Sequence, residues 1–121
     1  MAAGNPSTIG TGTEVLRRYF GHAISNGTLQ MDGVADHIYT LLSIVICENG
    51  AGGGAIETTS IYIDPDTGTD NIYLVNAHTI PAGETFVFSE KVVWTNTDKL
   101  FVYTSEGDCD VYITYIDQDF S

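Results

Sequence analysis

From about Ala35 to Asp117 the chain alternates between short apolar runs and clusters of turn residues. The strongest run is His37–Glu48, whose two alternating sets are Ile38, Leu42, Ile44, Ile46 and Tyr39, Leu41, Val45, Cys47. With both sets apolar, this pattern predicts a central strand covered on both sides. Asn49–Ala55 is a glycine-rich loop, and Ile56–Asp64 alternates again as a strand. Asp64–Asp70 carries strong turn chemistry, followed by a strand over Asn71–Asn76 and a Pro-Gly turn over Ile80–Glu84. Thr85–Ser89, Val92–Trp94, Lys99–Ser105 and Cys109–Asp117 follow as further strands, with a tight hairpin turn at Glu106–Asp108. About seven to eight strands at spacings of roughly 8–12 residues predict an all-β chain, a single antiparallel β-sandwich of jelly-roll or immunoglobulin-like type.

The N-terminal part reads differently. Residues 1–12 are small and polar apart from Ile9, which predicts a flexible, extended arm. Val15, Leu16, Tyr19, Phe20, Ala23 and Ile24 are spaced by threes and fours, which predicts a short amphipathic helix over Glu14–Ile24. Gly21 weighs against the helix, and a strand over Val15–Phe20 is the alternative. Ser25–Thr28 and Met31–Gly33 read as turn and loop. The organisation expected is an arm and lead-in over 1–34 and a sandwich over 35–121.

Charge narrows the function classes. Sixteen acidic residues face four basic ones, a net charge of −12. Nucleic acid is therefore not an expected partner, because binding it relies on Lys and Arg to neutralise phosphates. An anionic membrane surface is disfavoured in the same way. The longest apolar run, Leu41–Cys47, is too short to span a bilayer. No basic region followed by an apolar stretch opens the chain, so no signal peptide is expected. Cys47 and Cys109 are expected as free thiols, with a disulfide as the alternative.

Candidate chemistry is sparse. The glycine loop at 50–54 lacks the Gly-Lys-Ser/Thr of a phosphate-binding loop. Asp64, Asp66 and Asp70 are weak candidates for a metal, since hard cations take several loop oxygens, but the full calcium-loop spacing fails. His22, His37 and His78 are scattered, and no nucleophile motif accompanies them. No cofactor is expected, and the chain is not expected to be an enzyme. Two groups of residues suit an interface instead. Arg17 and Arg18, with Tyr19 and Phe20, hold half the basic charge, and arginine suits bidentate carboxylate contacts. Tyr62, Tyr73, Tyr103 and Tyr112 lie on strands, where tyrosine gives large contact area at low entropy cost.

The stretch from Tyr39 to Ile116 resembles small β-sandwich structural proteins of tailed bacteriophages. The matching features are Ser43–Cys47 leading to Glu48-Asn49 and a small-residue loop, the Thr59–Ile63 strand, and Ile80-Pro81-Ala82-Gly83. Asp98-Lys99-Leu100 and the closing Cys109–Ile116 strand complete the order, with Thr97 where that family usually has Gly. The resemblance implies a virion structural protein on the particle exterior, a capsid decoration protein first, or a neck, tail or fibre component. Its partners would be other virion proteins, such as the major capsid protein or neck and tail proteins. It would form a symmetric homo-oligomer, a trimer before other forms. A carbohydrate-binding sandwich is the alternative from another class, with Trp94 and the 64–70 loop as its residues.

Overall fold

The computed structural model describes residues 13–24, 26–49, 57–68, 70–105 and 109–121. Regular structure among them is entirely strand. In chain order the strands are β1 (Thr13–Ile24), β2 (Gly27–Asp32), β3 (His37–Glu48), β4 (Glu57–Asp64), β5 (Ile72–Ile80), β6 (Thr85–Phe88), β7 (Val93–Thr95), β8 (Lys99–Thr104) and β9 (Cys109–Asp119). They form two antiparallel sheets. One runs β1-β9-β3-β6, with β7 also paired to β3, and the other runs β2-β8-β4-β5.

The pairing is nested. The first strand lies on the last, β2 lies on β8, β3 on β6, and β4 on β5. This is a jelly roll: the chain is doubled on itself and wrapped so that successive pairs fall in two facing sheets. The expectation of a two-sheet antiparallel sandwich therefore holds.

Three local expectations change. In place of the helix expected over Glu14–Ile24 stands the edge strand β1, as the alternative reading over Val15–Phe20 had it, in register with β9 from Thr13↔Asp119 to Gly21↔Val111. Its apolar doublets at four-residue spacing look helical only because both faces of the strand are apolar. The loop expected at Met31–Gly33 begins with the end of β2, where Met31 pairs with Leu100 and is buried. β1 and β2 each supply an edge strand, one to each sheet. The arm at 1–12, the glycine loop at 50–54 and the turn at 106–108 lie outside the described residues.

The third change concerns β3. A register shift between Leu41 and Ser43 alters which alternate residues face inward. Tyr39 and Leu41 before it, and Ile44 and Ile46 after it, are all buried. The two sets read from strict alternation are thus mixed, because a β-bulge breaks period two. Opposite them the second sheet contributes Met31, Ile61, Ile63, Leu100 and Val102, and Trp94 closes one end of the core.

At one end of the sandwich the loops carrying Gly33 and Asn96–Asp98 are closed by polar pairing. A Cβ at Gly33 would run into the carbonyl oxygens of Asn96 and Asp98, so only glycine lets these loops meet there. The Gly33 N–H donates to the Asp98 carbonyl at 2.9 Å. At the Thr97 turn it is Asn96, with φ of 54°, that adopts the left-handed conformation.

Candidate interaction surfaces

Alternation along β1 sends the two adjacent arginines to opposite faces. Arg17 turns inward, and its Nε donates to Asp117 Oδ2 at 3.0 Å. The other oxygen of Asp117 lies 2.7 Å from His37 Nδ1, and His37 Nε2 lies 3.4 Å from Asp119. The Asp117 carboxylate is nearly buried, so this pairing offsets its desolvation. Arg17 therefore has a structural partner 100 residues away in the chain. From sequence His37 was named only as one of three scattered histidines, Asp117 and Asp119 were not singled out, and no local spacing links them to Arg17.

Beside this pair lies a cleft of about 440 Å³ between the β1 and β2 edges, with Tyr19, Gln30, Tyr39 and Tyr115 among its walls. Tyr19 spans it, donating from its hydroxyl to the Gln30 carbonyl at 2.7 Å. The Tyr39 hydroxyl accepts the Val34 N–H at 2.9 Å. Burial pushes the phenols of Tyr39 and Tyr115 above their ordinary value. At the opposite edge, the His78 ring of β5 lies against Phe86 of β6, with ring centres 4.2 Å apart and planes tilted by 30°, and bridges the sheets.

Arg18 turns outward. Its Nη1 donates to the Tyr112 hydroxyl at 3.4 Å, and its guanidinium lies 5.4 Å from the Phe20 ring centre. Phe20 and Tyr112 are stacked at 5.8 Å with ring planes 6° apart. These residues belong to a wide apolar outer face on the five-stranded sheet. Leu16 (66% exposed), Phe20 (55%), Val87 (54%), Val93 (56%) and Tyr112 (41%) stand on it. Register places Ile116 beside Leu16, and Val45 between Tyr112 and Val87.

The second sheet turns a different surface outward. Tyr62 sits between Tyr73 and Phe101, with both ring pairs 5.0 Å apart. Register sets Lys99 between Asp32 and Asp64 in the next row. Tyr103 lies on the same face and its hydroxyl donates to Asn26 Oδ1 at 3.4 Å. The predicted interface residues thus divide into the Phe20–Tyr112 group, the Tyr62–Tyr73 group with Tyr103, and the inward Arg17 and Tyr19.

Of the aspartates in the 64–70 turn, Asp66 is hydrogen-bonded to the neighbouring 97–98 turn. The Asp66 N–H donates to Asp98 Oδ1 at 3.0 Å, and Thr97 Oγ1 donates to Asp66 Oδ2 at 2.5 Å. Among the described residues no group of three His, Cys, Asp or Glu side chains comes together to hold a metal ion. Trp94, which the carbohydrate reading named with the 64–70 loop, is 1% exposed and stacks on Tyr39 at 5.3 Å. It presents no platform to a sugar.

Cys47 and Cys109 are free thiols on neighbouring strands. Cys109 points into the core, where its Sγ donates to Glu57 Oε1 at 3.5 Å. Burial first, and then the Glu57 carboxylate, push this thiol up to about 12. Cys47 is half-buried on the outer face, one register position away.

No protein-family model and no curated protein sequence matches the chain. Solved structures do resemble it. The Drosophila NLP core, described for pentamer formation and histone binding, superposes with a TM-score of 0.53 at 15% identity, covering 84% of this chain and 96% of that one. A subunit of Bacillus endospore appendages, a family of disulfide-linked pili, gives 0.51 at 16% identity over 93% of both chains. A pentameric capsid protein from metagenomic phage sequences gives 0.45 at 13% identity, covering 83% of this chain and 59% of that one. At such identities the common property is the fold, which hosts unrelated functions. What the chain shares with the first two structures is the two-sheet β-sandwich.

Proposed function

We propose that this chain is a non-enzymatic structural protein of a bacteriophage particle, a capsid decoration protein held on the particle exterior by protein–protein contacts. The observation that carries the reading is the outward placement of Leu16, Phe20, Val87, Val93 and Tyr112 on one sheet. An apolar face of this kind, crossed by the polar Arg18–Thr114–Ser43 row, is what a contact between protein subunits uses and what an isolated domain rarely keeps. The reading also draws on the resemblance to phage sandwich proteins and on the net charge of −12, which suits a position away from the genome. Its partners are other virion proteins and further copies of itself.

Immunogold electron microscopy of purified particles tests this. Gold over the heads is the expected result. Gold confined to neck, tail or fibres would replace decoration by the alternative location. Particles free of gold would overturn the proposal.

A carbohydrate-binding role has one observation in its favour, the Tyr73–Tyr62–Phe101 row on the second sheet, since aromatic faces stack on sugars. Glycan-array binding lost on Tyr73→Ala would support it, and a blank array would remove it.

A further inference from the structure

We infer that the outer face of the five-stranded sheet is where a second copy of this chain packs, sheet against sheet, about a two-fold axis.

The argument starts from charge. Two copies each carrying −12 repel wherever their charged surfaces meet. On the outer face, alternation places two carboxylates, Glu14 and Asp110, and one guanidinium, Arg18. Asp110 is bonded to His22 at 2.7 Å, and Glu14 accepts from Gln118 at 3.1 Å. Much of the remaining acid lies elsewhere, with Asp36, Asp66, Asp70, Asp98 and Asp119 all gathered at the end where β3 begins and β9 finishes. A like-charged copy meets least repulsion where both partners are near neutral, and this face against itself satisfies that condition.

Area supports the same occupant. With strands about 4.8 Å apart and about 3.3 Å per residue, four strands along the length of β9 offer a face on the order of 700 Å². A stable interface takes about 800 Å² from each partner, and side-chain relief adds to a flat estimate. Facing sheets pack about 10 Å apart in such contacts, the geometry already used inside this sandwich.

Symmetry follows from having one such face. A two-fold contact uses the same patch on both copies, whereas a cyclic trimer sets one patch against a different one. The second sheet is the weaker candidate for that different patch. Its Tyr62 and Phe101 rings are closed against each other, and Tyr73 is the one ring of that row standing more than half exposed. The pairing is thus a two-fold one rather than the trimer expected from sequence.

The test uses the purified full chain and no particle, so its failure leaves the virion reading standing and falls on this inference alone. Light scattering after gel filtration at roughly 100 μM, far above a micromolar Kd, should give twice the chain mass of 13.1 kDa. Val87→Glu with Val93→Glu should give the single mass, because four unpaired carboxylates buried across the pair weaken association by on the order of 10,000-fold or more, which takes a micromolar Kd far above the working concentration. Leu16→Glu, at the other side of the same face, should do the same. Circular dichroism of these variants should match the parent, since the residues touch no core. Tyr73→Glu on the second sheet should leave the double mass intact. Raising salt from about 50 to about 500 mM should tighten the pair, as screening removes the repulsion between copies.

A parent chain of single, triple or larger mass overturns the inference. So does a double mass that survives Val87→Glu with Val93→Glu or Leu16→Glu, or one lost with Tyr73→Glu alone.

Discussion

The inner and outer faces of the five-stranded sheet are built from similar residues and have opposite fates. Inside stand Tyr39, Leu41, Ile44, Ile46, Val111 and Ile113, all under 4% exposed. Outside stand Leu16, Phe20, Val45, Val87, Val93, Tyr112 and Ile116, on the same strands or their neighbours. The second sheet covers the first set, and nothing in the described chain covers the other. Apolarity alone therefore says that a face is to be buried. It does not say whether the burial happens within one chain or between two.

The largest contrast is in stability. Leu41→Ala removes a fully buried side chain and should cost about 2–5 kcal/mol through lost transfer energy and the cavity left behind. Val87→Ala, on the outer face, should stay within about 0.5 kcal/mol for the isolated chain. Urea denaturation of both variants at high dilution checks the pair, and equal costs would erase the distinction between the faces.

The inward and outward arginines give a smaller contrast. Asp117→Ala removes the carboxylate that holds both Arg17 and His37, and should cost about 1–3 kcal/mol, less than a fully buried pair because Arg17 is half exposed. Arg18→Ala loses one long hydrogen bond and a ring contact at the surface, and should cost less than Asp117→Ala. If Arg18→Ala were the costlier change, the assignment of the two arginines to structure and to surface would be reversed.

The cysteines probe the same two faces by reactivity. At pH 8, Cys47 should react with a thiol reagent while Cys109 stays protected, read by mass spectrometry of the modified peptides. The fold raises the Cys109 thiol from its ordinary 9.0 to about 12, so it favours the protonated form. Its contribution is complete below pH 9 and is lost as pH rises above 9, where the unfolded thiol ionises and the folded one does not. Cys109→Ala should flatten that alkaline fall in melting temperature.

The finest contrast is the stacked pair on the outer face. Phe20 and Tyr112 should couple by about 0.5–1 kcal/mol in a double-mutant cycle on the monomeric chain. A coupling near zero would mean that the stack forms only when the face is covered.

Much of this architecture was legible in the chain. The strands from His37 onward, the turn at Pro81–Gly83 and the acidic surface follow from local alternation and turn chemistry, which a sequence displays directly. β1 was legible as a strand only as the alternative to a helix. Its doublets Val15-Leu16 and Tyr19-Phe20 serve two faces at once and so cancel the period-two signal. Trp94 looked like an exposed platform, yet its apolar bulk was needed against Tyr39 and Tyr115. The candidate faces were visible in part. Tyr62, Tyr73, Tyr103 and Tyr112 do point outward, but Val87, Val93 and Leu16 carry no local mark of exposure.

By itself the sequence determined that this protein is a small acidic all-β sandwich, because strand period, turn residues and charge are properties of neighbouring positions. The tertiary structure decided which face of each strand is the core, which arginine is held by Asp117, and where the uncovered apolar surface lies. Those outcomes depend on the nested pairing of β1 with β9 and on a one-residue register shift in β3. Both are set by the energy of closing two sheets over one core, which no single stretch of chain contains.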